Sequence, residues 1–389
     1  MKWEVFKLND ICEVCGGTTP RTNIPEYWNG NITWLSPVDL PEVGTISNVF
    51  TSQRKITEQG VKESGLKILP KGSLVFSTRA SIGKIGIVQE PLTTNQGFTN
   101  LIPSSKINVR YLAYALKKSI PEIEQLGNTT TFKEVSRTAI KNFKIPVPPL
   151  HIQEQIADTL DKADALRRKD QELLTKYDEL EKTLFYEMFG DPYSVKSKWN
   201  KKPIGEVCDV TKLAGYEYTE HIKYKDSGDI IMIRGLNVKK ERLKLDNVKY
   251  IDTATSSSLL RSKLNKGDVV MTYIGVNIGD VAIIEEDNKY HLAPNVAKIT
   301  PKNREFLNSY FLLKFLSLTR NSFSRLTTNT AKQALNMGNI RELSIIIPPL
   351  DLQIKYEQIY LNCKKNYIKS KLGAKASNDL FSQYLSACF

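Results

Sequence analysis

The sequence predicts an α+β protein in which two similar globular domains are joined by two long antiparallel helices that form a coiled-coil spacer. Three features lead to this fold class. The 389-residue chain repeats at an offset of about 200 residues, each copy has β-branched runs broken by glycines, and each copy ends in a segment with helical apolar spacing. Two equivalent halves that pair through their helices are related by a pseudo-twofold axis.

The repeat extends along the whole chain. Cys12 matches Cys208, and Pro148-Pro149-Leu150 matches Pro348-Pro349-Leu350. Because solenoid repeats are only about 20 to 50 residues long, this period indicates a duplicated domain. The predicted segments are a globular domain at 1–145, a helical spacer at 146–190, a second globular domain at 191–345 and a second spacer at 346–389.

Each globular domain is predicted to contain short strands and short helices. Residues 72–88 and 267–284 combine β-branched residues with glycines, which favours two strands around a bend. Residues 111–118 and 309–318 have the spacing of short amphipathic helices. Polar turn residues lie between these elements, so we expect an α+β domain with functional loops.

Each spacer is predicted to be one helix that begins after a Pro-Pro pair. At about 1.5 Å per residue, each helix is a rod of roughly 50 to 60 Å that cannot bury its apolar stripe alone. The residues predicted to pack helix against helix are Ile152, Ile156, Leu160, Leu166, Leu173, Tyr177, Leu180 and Leu184 in the first spacer, and Ile354, Ile359, Cys363, Tyr367, Leu372, Leu380 and Tyr384 in the second. Residues 151–190 carry a net charge of −4 and residues 351–389 carry +3, which favours their pairing.

The excess positive charge lies in the globular domains. The chain has 55 Lys and Arg against 42 Asp and Glu, a net charge of +13. Residues 1–150 account for +6 and residues 191–350 for +8. Two large basic blocks indicate a polyanionic partner such as nucleic acid.

Membrane and metal-binding classes are not supported. The sequence has no run of 18 apolar residues and no secretory signal, so we expect a cytoplasmic protein without a membrane partner. The five cysteines are scattered, which favours reduced thiols. Cys12 and Cys15 form a CxxC pair, but no second Cys or His pair has suitable spacing, so we predict no metal site.

Catalytic motifs are also missing from the sequence. An adenine methyltransferase needs an FxGxG-like cofactor loop and an Asn/Asp-Pro-Pro-aromatic motif, and neither occurs. Gly83-Lys84 lacks the glycine spacing of a P-loop. His151, His221 and His291 are far apart and have no nucleophile or metal spacing. We therefore expect no catalytic residue in this chain.

Several segments resemble the specificity subunit of Type I restriction-modification enzymes. They are GGTTPRTNIPEYWNGNITWLSPVDL at 16–40, TRASIGKIGIV at 78–88, TNQGF at 94–98, the segment at 129–166 with IPVPPL, and the second IPPLDLQ at 347–353. The resemblance covers essentially the whole chain in two copies. The second copy departs from the first at Lys355 and Tyr356 and has IGVNIG in place of RASIG.

The resemblance implies a non-catalytic DNA reader with two target recognition domains, one for each half of a bipartite site in double-stranded DNA. It also implies two methyltransferase subunits that modify adenine with S-adenosylmethionine as partners. In the full enzyme, two restriction subunits that use ATP and magnesium would join them. This chain itself would bind no cofactor.

Loop residues of both domains are candidates for DNA contact, because basic side chains hold phosphates while Arg, Asn, Gln, Ser and Thr address base edges. In the first domain they are Arg21, Thr22, Asn23, Arg79, Ser81, Asn95, Gln96, Thr129, Thr130, Thr131 and Lys133. In the second domain they are Lys212, Tyr216, Tyr218, Tyr273, Asn277, Asn295, Thr328, Asn329, Thr330 and Lys332. Each of them is equally explained as an ordinary turn former or solvated side chain.

Two other functions remain as alternatives. A self-sufficient DNA-modifying enzyme would bind a cofactor as an isolated chain. A basic coiled-coil adaptor would bind DNA in a salt-sensitive way without base preference, whereas a true reader gains roughly 4 to 10 kcal/mol on its own site over random DNA.

Overall fold

The computed structural model describes residues 3–127, 133–194, 197–323 and 334–389. Their contacts divide the chain into two compact units. The first unit contains residues 1–171 and 372–389, and the second contains residues 172–371. Helices and small sheets alternate in both units, which confirms the predicted α+β class. None of the helices in the described ranges is long and apolar enough to cross a bilayer.

The first unit holds ten strands and four complete helices among its described residues. The strands are β1 (Val5–Lys7), β2 (Cys12–Gly16), β3 (Trp28–Leu35), β4 (Ile46–Val49), β5 (Lys55–Ile56), β6 (Leu74–Ser77), β7 (Ile85–Val88), β8 (Leu92–Thr94), β9 (Phe98–Pro103) and β10 (Lys144–Pro146). The helices are α1 (Leu8–Ile11), α2 (Glu58–Glu63), α3 (Val109–Gln125) and α4 (Arg137–Asn142). The long helix α5 (Leu150–Phe189) begins in this unit and ends in the second.

The first unit is built on a five-stranded sheet with the order β2-β9-β6-β7-β4, in which only β4 and β7 run parallel. Strands β5, β3 and β8 form a smaller sheet, and β1 pairs with β10. Helix α3 shares one hydrophobic cluster with the large sheet, in which Tyr111 and Leu112 lie with Leu74 and Phe76. Strand β9 runs antiparallel to both of its neighbours, β2 and β6. The loops that leave β2 and β6 and the loop that enters β9 therefore meet at one edge of this sheet.

The second unit repeats these elements. Its strands are β11 (Asn200–Pro203), β12 (Cys208–Lys212), β13 (Ile230–Ile233), β14 (Val238–Lys239), β15 (Arg242–Leu243), β16 (Lys249–Ile251), β17 (Lys263–Leu264), β18 (Val269–Thr272), β19 (Val281–Ile283), β20 (Tyr290–Leu292), β21 (Val296–Pro301) and β22 (Ser344–Ile347). Its helices are α6 (Ile204–Val207), α7 (Gly215–His221), α8 (Thr253–Ser258), α9 (Ser309–Leu318), α10 (Arg320–Phe323) and α11 (Met337–Glu342). The long helix α12 (Leu350–Cys388) begins here and ends in the first unit.

The two units share one topology. The order β12-β21-β18-β19 corresponds to β2-β9-β6-β7, and the pair β11-β22 corresponds to β1-β10. The second unit also has a sheet β16-β13-β20-β17 and a separate hairpin, β14-β15. The predicted strand pairs are confirmed, because β6 pairs antiparallel with β7 and β18 pairs antiparallel with β19.

Helix α3 is longer than the helix predicted at residues 111–118. The Asn108 side chain caps its first turn by accepting hydrogen bonds from the backbone N–H groups of Arg110 and Tyr111, at 2.9 and 3.2 Å. Its last turns are held by buried Ile120 and Ile123, which continue the apolar face beyond the predicted end. In the second unit Asn308 caps α9 in the same way.

The two long helices pack against each other within each unit. In the first unit, Leu160 and Ala163 from the start of α5 share a hydrophobic cluster with Phe381 from the end of α12. In the second unit, the rings of Phe185 and Phe189 from the end of α5 lie 5.5 and 5.6 Å from the ring of Tyr356 near the start of α12. In each unit the start of one long helix therefore contacts the end of the other, as expected for two helices that run antiparallel.

The buried faces of these helices differ from the predicted stripes. Leu160 and Cys363 are buried as predicted. The prediction was wrong for the side chains that the structure leaves exposed, namely Leu166, Leu173, Leu180, Ile354, Leu372, Leu380 and Tyr384. The remaining predicted residues are half-buried: Ile152, Ile156, Tyr177, Leu184, Ile359 and Tyr367.

Small and polar side chains explain this difference. Buried positions include Gln153, Ala157, Ala163, Asp164 and Glu181 in α5, and Gln353, Ala374 and Ser377 in α12, beside the large residues Phe185, Phe189, Tyr356, Tyr360 and Phe381. An exposed leucine often stands next to a buried residue, as Leu180 does to Glu181 and Leu380 to Phe381. Apolar spacing alone does not identify a buried helix face that includes polar side chains. Such side chains can be buried when they have a partner, as Glu181 has in Lys314, with 3.3 Å between the Lys314 Nζ and a carboxylate oxygen of Glu181.

Candidate nucleic-acid interface

The glycine-led loop after β2 lies against the loop that precedes β9. The backbone N–H of Thr18 donates to the Thr94 carbonyl oxygen at 3.0 Å, and the Thr19 hydroxyl donates to the Gln96 side chain. A methyl group at Gly17 would lie 2.2 Å from the Asn95 carbonyl oxygen, so this approach requires glycine. The structure thus brings two of the predicted contact loops of the first domain together.

Two tryptophans of β3 donate hydrogen bonds to the backbone of the glycine-led loop after β2. The indole N–H of Trp34 donates to the Thr18 carbonyl at 3.0 Å, and that of Trp28 donates to the Arg21 carbonyl at 3.2 Å. Their rings meet edge to face with centroids 5.2 Å apart, and the Arg54 guanidinium lies 4.1 and 4.6 Å from the Trp28 and Trp34 ring centroids. This support fixes the backbone of the loop and leaves the predicted contact residues Arg21, Thr22 and Asn23 exposed.

The bend after β6 joins the same surface. The backbone N–H of Thr78 donates to the Gly97 carbonyl at 2.9 Å, which connects the bend to the loop before β9. Ala80, in a left-handed conformation with φ of 62°, donates its N–H to the Lys133 carbonyl at 3.2 Å. The Arg79 guanidinium pairs with Glu134 at 3.3 Å.

The predicted contact residues of the first domain therefore converge at one sheet edge. Arg79, Ser81, Gln96 and Lys133 are exposed there, and Asn95 is half-buried. Thr129, Thr130 and Thr131 lie outside the described residues.

In the second unit three of the predicted residues line a cavity of about 400 Å³. Its walls contain Tyr218, Asn277 and Asn295, all of which were predicted, together with Tyr224, Arg234 and Thr272, which were not. The ring centroids of Tyr218 and Tyr224 lie 6.0 Å apart. The backbone N–H of Tyr273 donates to the Asn295 carbonyl at 3.0 Å, and this bond joins the ends of β18 and β21 at the cavity.

Other predicted residues of the second domain do not line this cavity. Tyr273 is only 8% exposed and belongs to the main hydrophobic core, so its assignment as a DNA contact is corrected to a core residue. Tyr216 is 68% exposed, because it stands two positions from Tyr218 on α7 and faces another direction. Lys212 is exposed at the end of β12. Thr328, Asn329, Thr330 and Lys332 lie outside the described residues.

Two tyrosines of this region, Tyr224 and Tyr273, have raised pKa values because they are buried. Burial, with a smaller contribution from neighbouring Tyr218, raises the pKa of Tyr224 to about 12. Burial also raises the pKa of Tyr273 above its ordinary value. Because a phenol with its ordinary pKa near 10 is already neutral at pH 7, these shifts leave the charge of the surface unchanged.

Arg234 and Thr272 were missed by the sequence analysis. Arg234 follows the buried strand β13, and its Nη2 donates to the backbone and side-chain oxygens of Asn247, both at 2.9 Å. Its buried Nε finds no acceptor among the described residues, and the Oγ1 of Thr272, a residue only 2% exposed, also has no partner there. The only sequence signal is a polar residue directly after the apolar run IIMI and another after VVM.

The cysteines and acidic residues of the described ranges do not form a metal centre. All five cysteines are free, and the described part of the chain has no group of three or more His, Cys, Asp or Glu that could hold a metal ion. Burial raises the pKa of the Cys12 and Cys208 thiols to about 12, which keeps both protonated at neutral pH.

Comparison with known proteins agrees with this architecture. A family model described as the Type I restriction modification DNA specificity domain matches residues 1–176 and 196–360. The chain is 30% identical over 376 residues to the Type I restriction enzyme MjaIX specificity subunit of Methanocaldococcus jannaschii, covering 92% of this chain and 85% of that protein. It is 31% identical over 198 residues to the EcoR124I/EcoR124II specificity subunit of Escherichia coli, covering 49% of this chain and 47% of that subunit.

Two solved structures share the fold. The S subunit of a Type I restriction-modification system from M. genitalium has a TM-score of 0.62 at 15% identity, covering 100% of this chain and 96% of that one. A chain from a structural study of complex assembly and conformational transition in the type I R-M system has a TM-score of 0.58 at 15% identity, covering 100% and 97%.

A duplicated α+β unit with two long paired helices defines a class of DNA-specificity proteins. This chain belongs to the specificity subunits of Type I restriction-modification systems, which are non-catalytic.

Proposed function

We propose that the chain reads a bipartite DNA site, with one globular domain for each half-site and a gap of unread bases between them. Residues 1–145 and 191–345 are the target recognition domains, and residues 146–190 and 346–389 are the spacers that set the gap. The observation that carries this proposal is the repeated position of the candidate loops. They follow β2 and β6 and precede β9 in the first unit, and they follow β12 and β18 and precede β21 in the second.

Charge and side-chain chemistry support DNA as the ligand. Residues 1–150 and 191–350 carry net charges of +6 and +8. Exposed Arg21, Arg79 and Lys133 suit phosphate contacts, while Asn95 and Gln96 between them offer both donors and acceptors to base edges. Phosphate contacts fix the register of the domain, and base contacts supply the preference.

The helices supply the surface for two methyltransferase subunits. In the second unit, α12 exposes Ile354, Leu361 and Ile368 by 41, 37 and 47%, and α5 exposes Leu173 and Leu180 by 40 and 47%. A spacing of seven residues places the three α12 side chains on one helix face. Repeated exposure of large apolar side chains is typical of a surface that a partner covers. In the full complex, two restriction subunits join this assembly.

Cofactors belong to the partners in this proposal. The methyltransferase subunits use S-adenosylmethionine, and the restriction subunits use ATP and magnesium. The chain described here selects the DNA sequence and positions the partners on it.

Domain exchange tests the proposal. Residues 1–145 are replaced by those of a related subunit, and adenine methylation is mapped by single-molecule sequencing in cells that also contain the methyltransferase subunits. We expect a gapped adenine motif for the original chain, and a change in only one half of it after the exchange. A motif altered in both halves would contradict modular reading. Salt-sensitive DNA binding without any methylated motif would favour a non-specific adaptor.

A further inference from the structure

A short 3₁₀ turn follows the corresponding strand of the smaller sheet in each unit. Residues Pro37–Asp39 form this turn after β3, and residues Gly235–Asn237 form it after β13. In both units the backbone N–H of the residue before the turn donates to the side chain of the last turn residue, at 2.8 Å in the first unit and 3.2 Å in the second. These hydrogen bonds restrict the backbone of both turns.

The middle residue of each turn is apolar and exposed. Val38 is 87% exposed and Leu236 is 41% exposed. The nearest apolar residues on either side of the turns are buried, namely Leu35, Leu40, Ile233 and Val238. The other turn positions differ between the copies, since Pro37 and Asp39 correspond to Gly235 and Asn237. Both copies thus have an apolar residue at a turn position whose side chain faces water.

Each turn lies beside a candidate contact loop. Strand β3 runs parallel to β8, and β13 runs parallel to β20. Because the carboxyl ends of parallel strands lie at the same edge of a sheet, the turn after β3 meets the loop of Asn95 and Gln96, which follows β8. The Asn95 N–H donates to the Leu35 carbonyl at 2.9 Å, and the Ala293 N–H donates to the Ile233 carbonyl at 3.1 Å in the second unit.

The turn of the first unit packs directly against two of the candidate loops. A methyl group at Gly97, the residue after Gln96, would lie 2.8 Å from Cγ of Pro37. The ammonium of Lys84, which lies between β6 and β7, donates to the Pro37 and Leu40 carbonyl oxygens at 2.7 and 2.9 Å. The position of the turn relative to both loops is therefore fixed in the free protein.

The turn of the second unit borders the cavity of about 400 Å³. Leu236 lines this cavity together with Asn277 and Asn295. A methyl group at Gly235 would lie 3.2 Å from Cγ2 of Thr272, so the turn packs on the end of β18. In both units an exposed apolar side chain therefore lies beside polar side chains that can address base edges.

We propose that Val38 and Leu236 each contact the C5-methyl group of one thymine in the half-site of their own domain. This inference rests on the proposed function and names residues that determine its specificity. In the major groove the thymine methyl group is the only alkyl group that a base edge presents. Because both side chains are exposed in the free protein, their apolar surface leaves water when DNA binds.

The neighbours of these residues favour the major groove. Apolar side chains can also wedge between base pairs from the minor groove, where the donor and acceptor pattern is degenerate. Val38 has a short side chain on a restricted turn, beside Asn95 and Gln96, whose donors and acceptors suit the distinct patterns of the major groove. A methyl contact fits this setting, and wedging is one of the outcomes that the test distinguishes.

Replacement of thymine by deoxyuridine tests the contact, because it removes only the C5-methyl group from the DNA. Each thymine of the motif found by methylation mapping is replaced in turn, and the affinity of the assembled methyltransferase is measured by fluorescence anisotropy. With the original chain, we expect one replacement in each half-site to lower the affinity by a factor of about four, as for one buried methyl group.

Val38→Ala should abolish the effect of deoxyuridine in the first half-site. The variant should bind the thymine duplex roughly three- to tenfold more weakly. Deoxyuridine at the sensitive position should then lower the affinity no further, because the two groups contact each other. The effect in the second half-site should remain, and Leu236→Ala should show the reverse pattern. The melting temperature of Val38→Ala should stay within about two degrees of the original, because the side chain is exposed.

Val5→Ala is the matched control for Val38→Ala. Val5 is 56% exposed and lies on β1, which pairs with β10 and belongs to neither sheet that carries the candidate loops. The substitution is chemically the same, so we expect an unchanged affinity and an unchanged effect of deoxyuridine in both half-sites.

The outcomes separate this inference from the proposed function. A full deoxyuridine effect in Val38→Ala would overturn the inference, and a weaker affinity with that effect intact would indicate a wedge. Loss of the methyltransferase subunits from Val38→Ala would mean that the turn contacts a protein, with the same consequence. A motif in which no thymine replacement lowers the affinity, or equal effects of Val5→Ala and Val38→Ala, would also overturn it. The absence of any gapped motif for the original chain would overturn the proposed function itself.

Discussion

Gln153 and Gln353 make the same three hydrogen bonds in the two halves of the chain. The Gln153 side chain accepts from the Asn108 N–H at 2.8 Å and donates to the Lys106 and Pro148 carbonyls at 3.0 and 2.8 Å. Gln353 accepts from the Asn308 N–H at 2.9 Å and donates to the Phe306 and Pro348 carbonyls at 3.2 and 2.8 Å. Each fully buried amide thus ties the first turn of a long helix to the residues that open the helix of its globular domain.

Gln153→Met should destabilise the first unit. Methionine fills a similar volume but leaves the Asn108 N–H and two carbonyls without their partner, and the cost should be about 2 to 4 kcal/mol of unfolding free energy. Urea unfolding of the full chain measures it. The matched control is Gln155→Met, because Gln155 is exposed on the same helix and its replacement should change stability by less than about 0.5 kcal/mol. Equal losses of unfolding free energy in the two variants would show that the hydrogen bonds of the buried Gln153 amide do not contribute to stability.

Lys117→Met should alter how stability depends on pH above pH 8. Burial lowers the pKa of Lys117 to about 8 from its ordinary value of 10.5, although Asp164 lies 3.8 Å away. Between these values the unfolded chain binds a proton that the folded chain has released, so the contribution of Lys117 to stability rises with pH. It is lost as pH falls through 8.

We therefore expect the unfolding free energy of the original chain to rise relative to Lys117→Met between pH 8 and 10. The slope should be at most about 1.4 kcal/mol per pH unit. Denaturant unfolding at several pH values measures it, with Lys118→Met as an exposed neighbour that should not change the profile. Parallel curves for the original chain and Lys117→Met would refute the prediction.

Trp28→Phe should weaken reading of the first half-site while leaving the fold intact. Phenylalanine keeps an aromatic ring but loses the N–H that holds the Arg21 carbonyl, so the loop of Arg21, Thr22 and Asn23 is less fixed. We expect a three- to tenfold loss of affinity, corresponding to about 1 kcal/mol for one hydrogen bond. Fluorescence anisotropy with the cognate duplex and the assembled methyltransferase measures it.

The matched control for this substitution is Trp199→Phe. It also removes one indole hydrogen bond, here to the Phe189 carbonyl at 2.9 Å, but in the second unit and away from the candidate cavity. The affinity of Trp199→Phe for the cognate duplex should remain that of the original chain. A similar loss in both variants would mean that general stability, and not loop support, sets the affinity.

Leu361→Lys with Ile368→Lys should prevent binding of a methyltransferase subunit. Both side chains are exposed in the free chain, so the melting temperature should stay within a few degrees of the original. Co-purification with the methyltransferase subunit should fall at least tenfold, because two charges would be buried in an apolar contact. Asn366→Lys, at an exposed polar position of the same helix, should retain binding. Full binding by the double variant would place the partner elsewhere.

Much of the fold was predictable because duplication and apolar spacing are properties of the linear chain. The match of Cys12 with Cys208 and of the two Pro-Pro-Leu segments predicted two equivalent domains, and β2 and β12 begin at these cysteines. The long helices begin at Leu150 and Leu350, directly after the proline pairs. A proline pair before a helix and helical apolar spacing within it are features of neighbouring residues in the sequence. They therefore predict where a helix begins and that it is a helix, without knowledge of the surface against which it packs.

The candidate site was predicted in part. The loops of Arg21, Arg79 and Gln96 were found because glycines and polar turn residues mark them in the sequence. Arg234 and Thr272 were not found, because each is one polar residue at the end of an apolar strand. Among the described residues the Arg234 Nε and the Thr272 Oγ1 have no partner, and this depends on which loops pack beside them.

The sequence by itself determined the number of domains, their α+β class, the helical spacers and the basic character of the globular blocks. The tertiary structure decided which helix faces are buried, which loops share a sheet edge, and that Tyr273 belongs to the core. The physical reason is that hydrogen-bond satisfaction and burial are properties of neighbours distant in sequence. Glu181 is buried and Leu180 is exposed because the ammonium of Lys314, 133 residues away in the chain, donates a hydrogen bond to the Glu181 carboxylate and balances its negative charge.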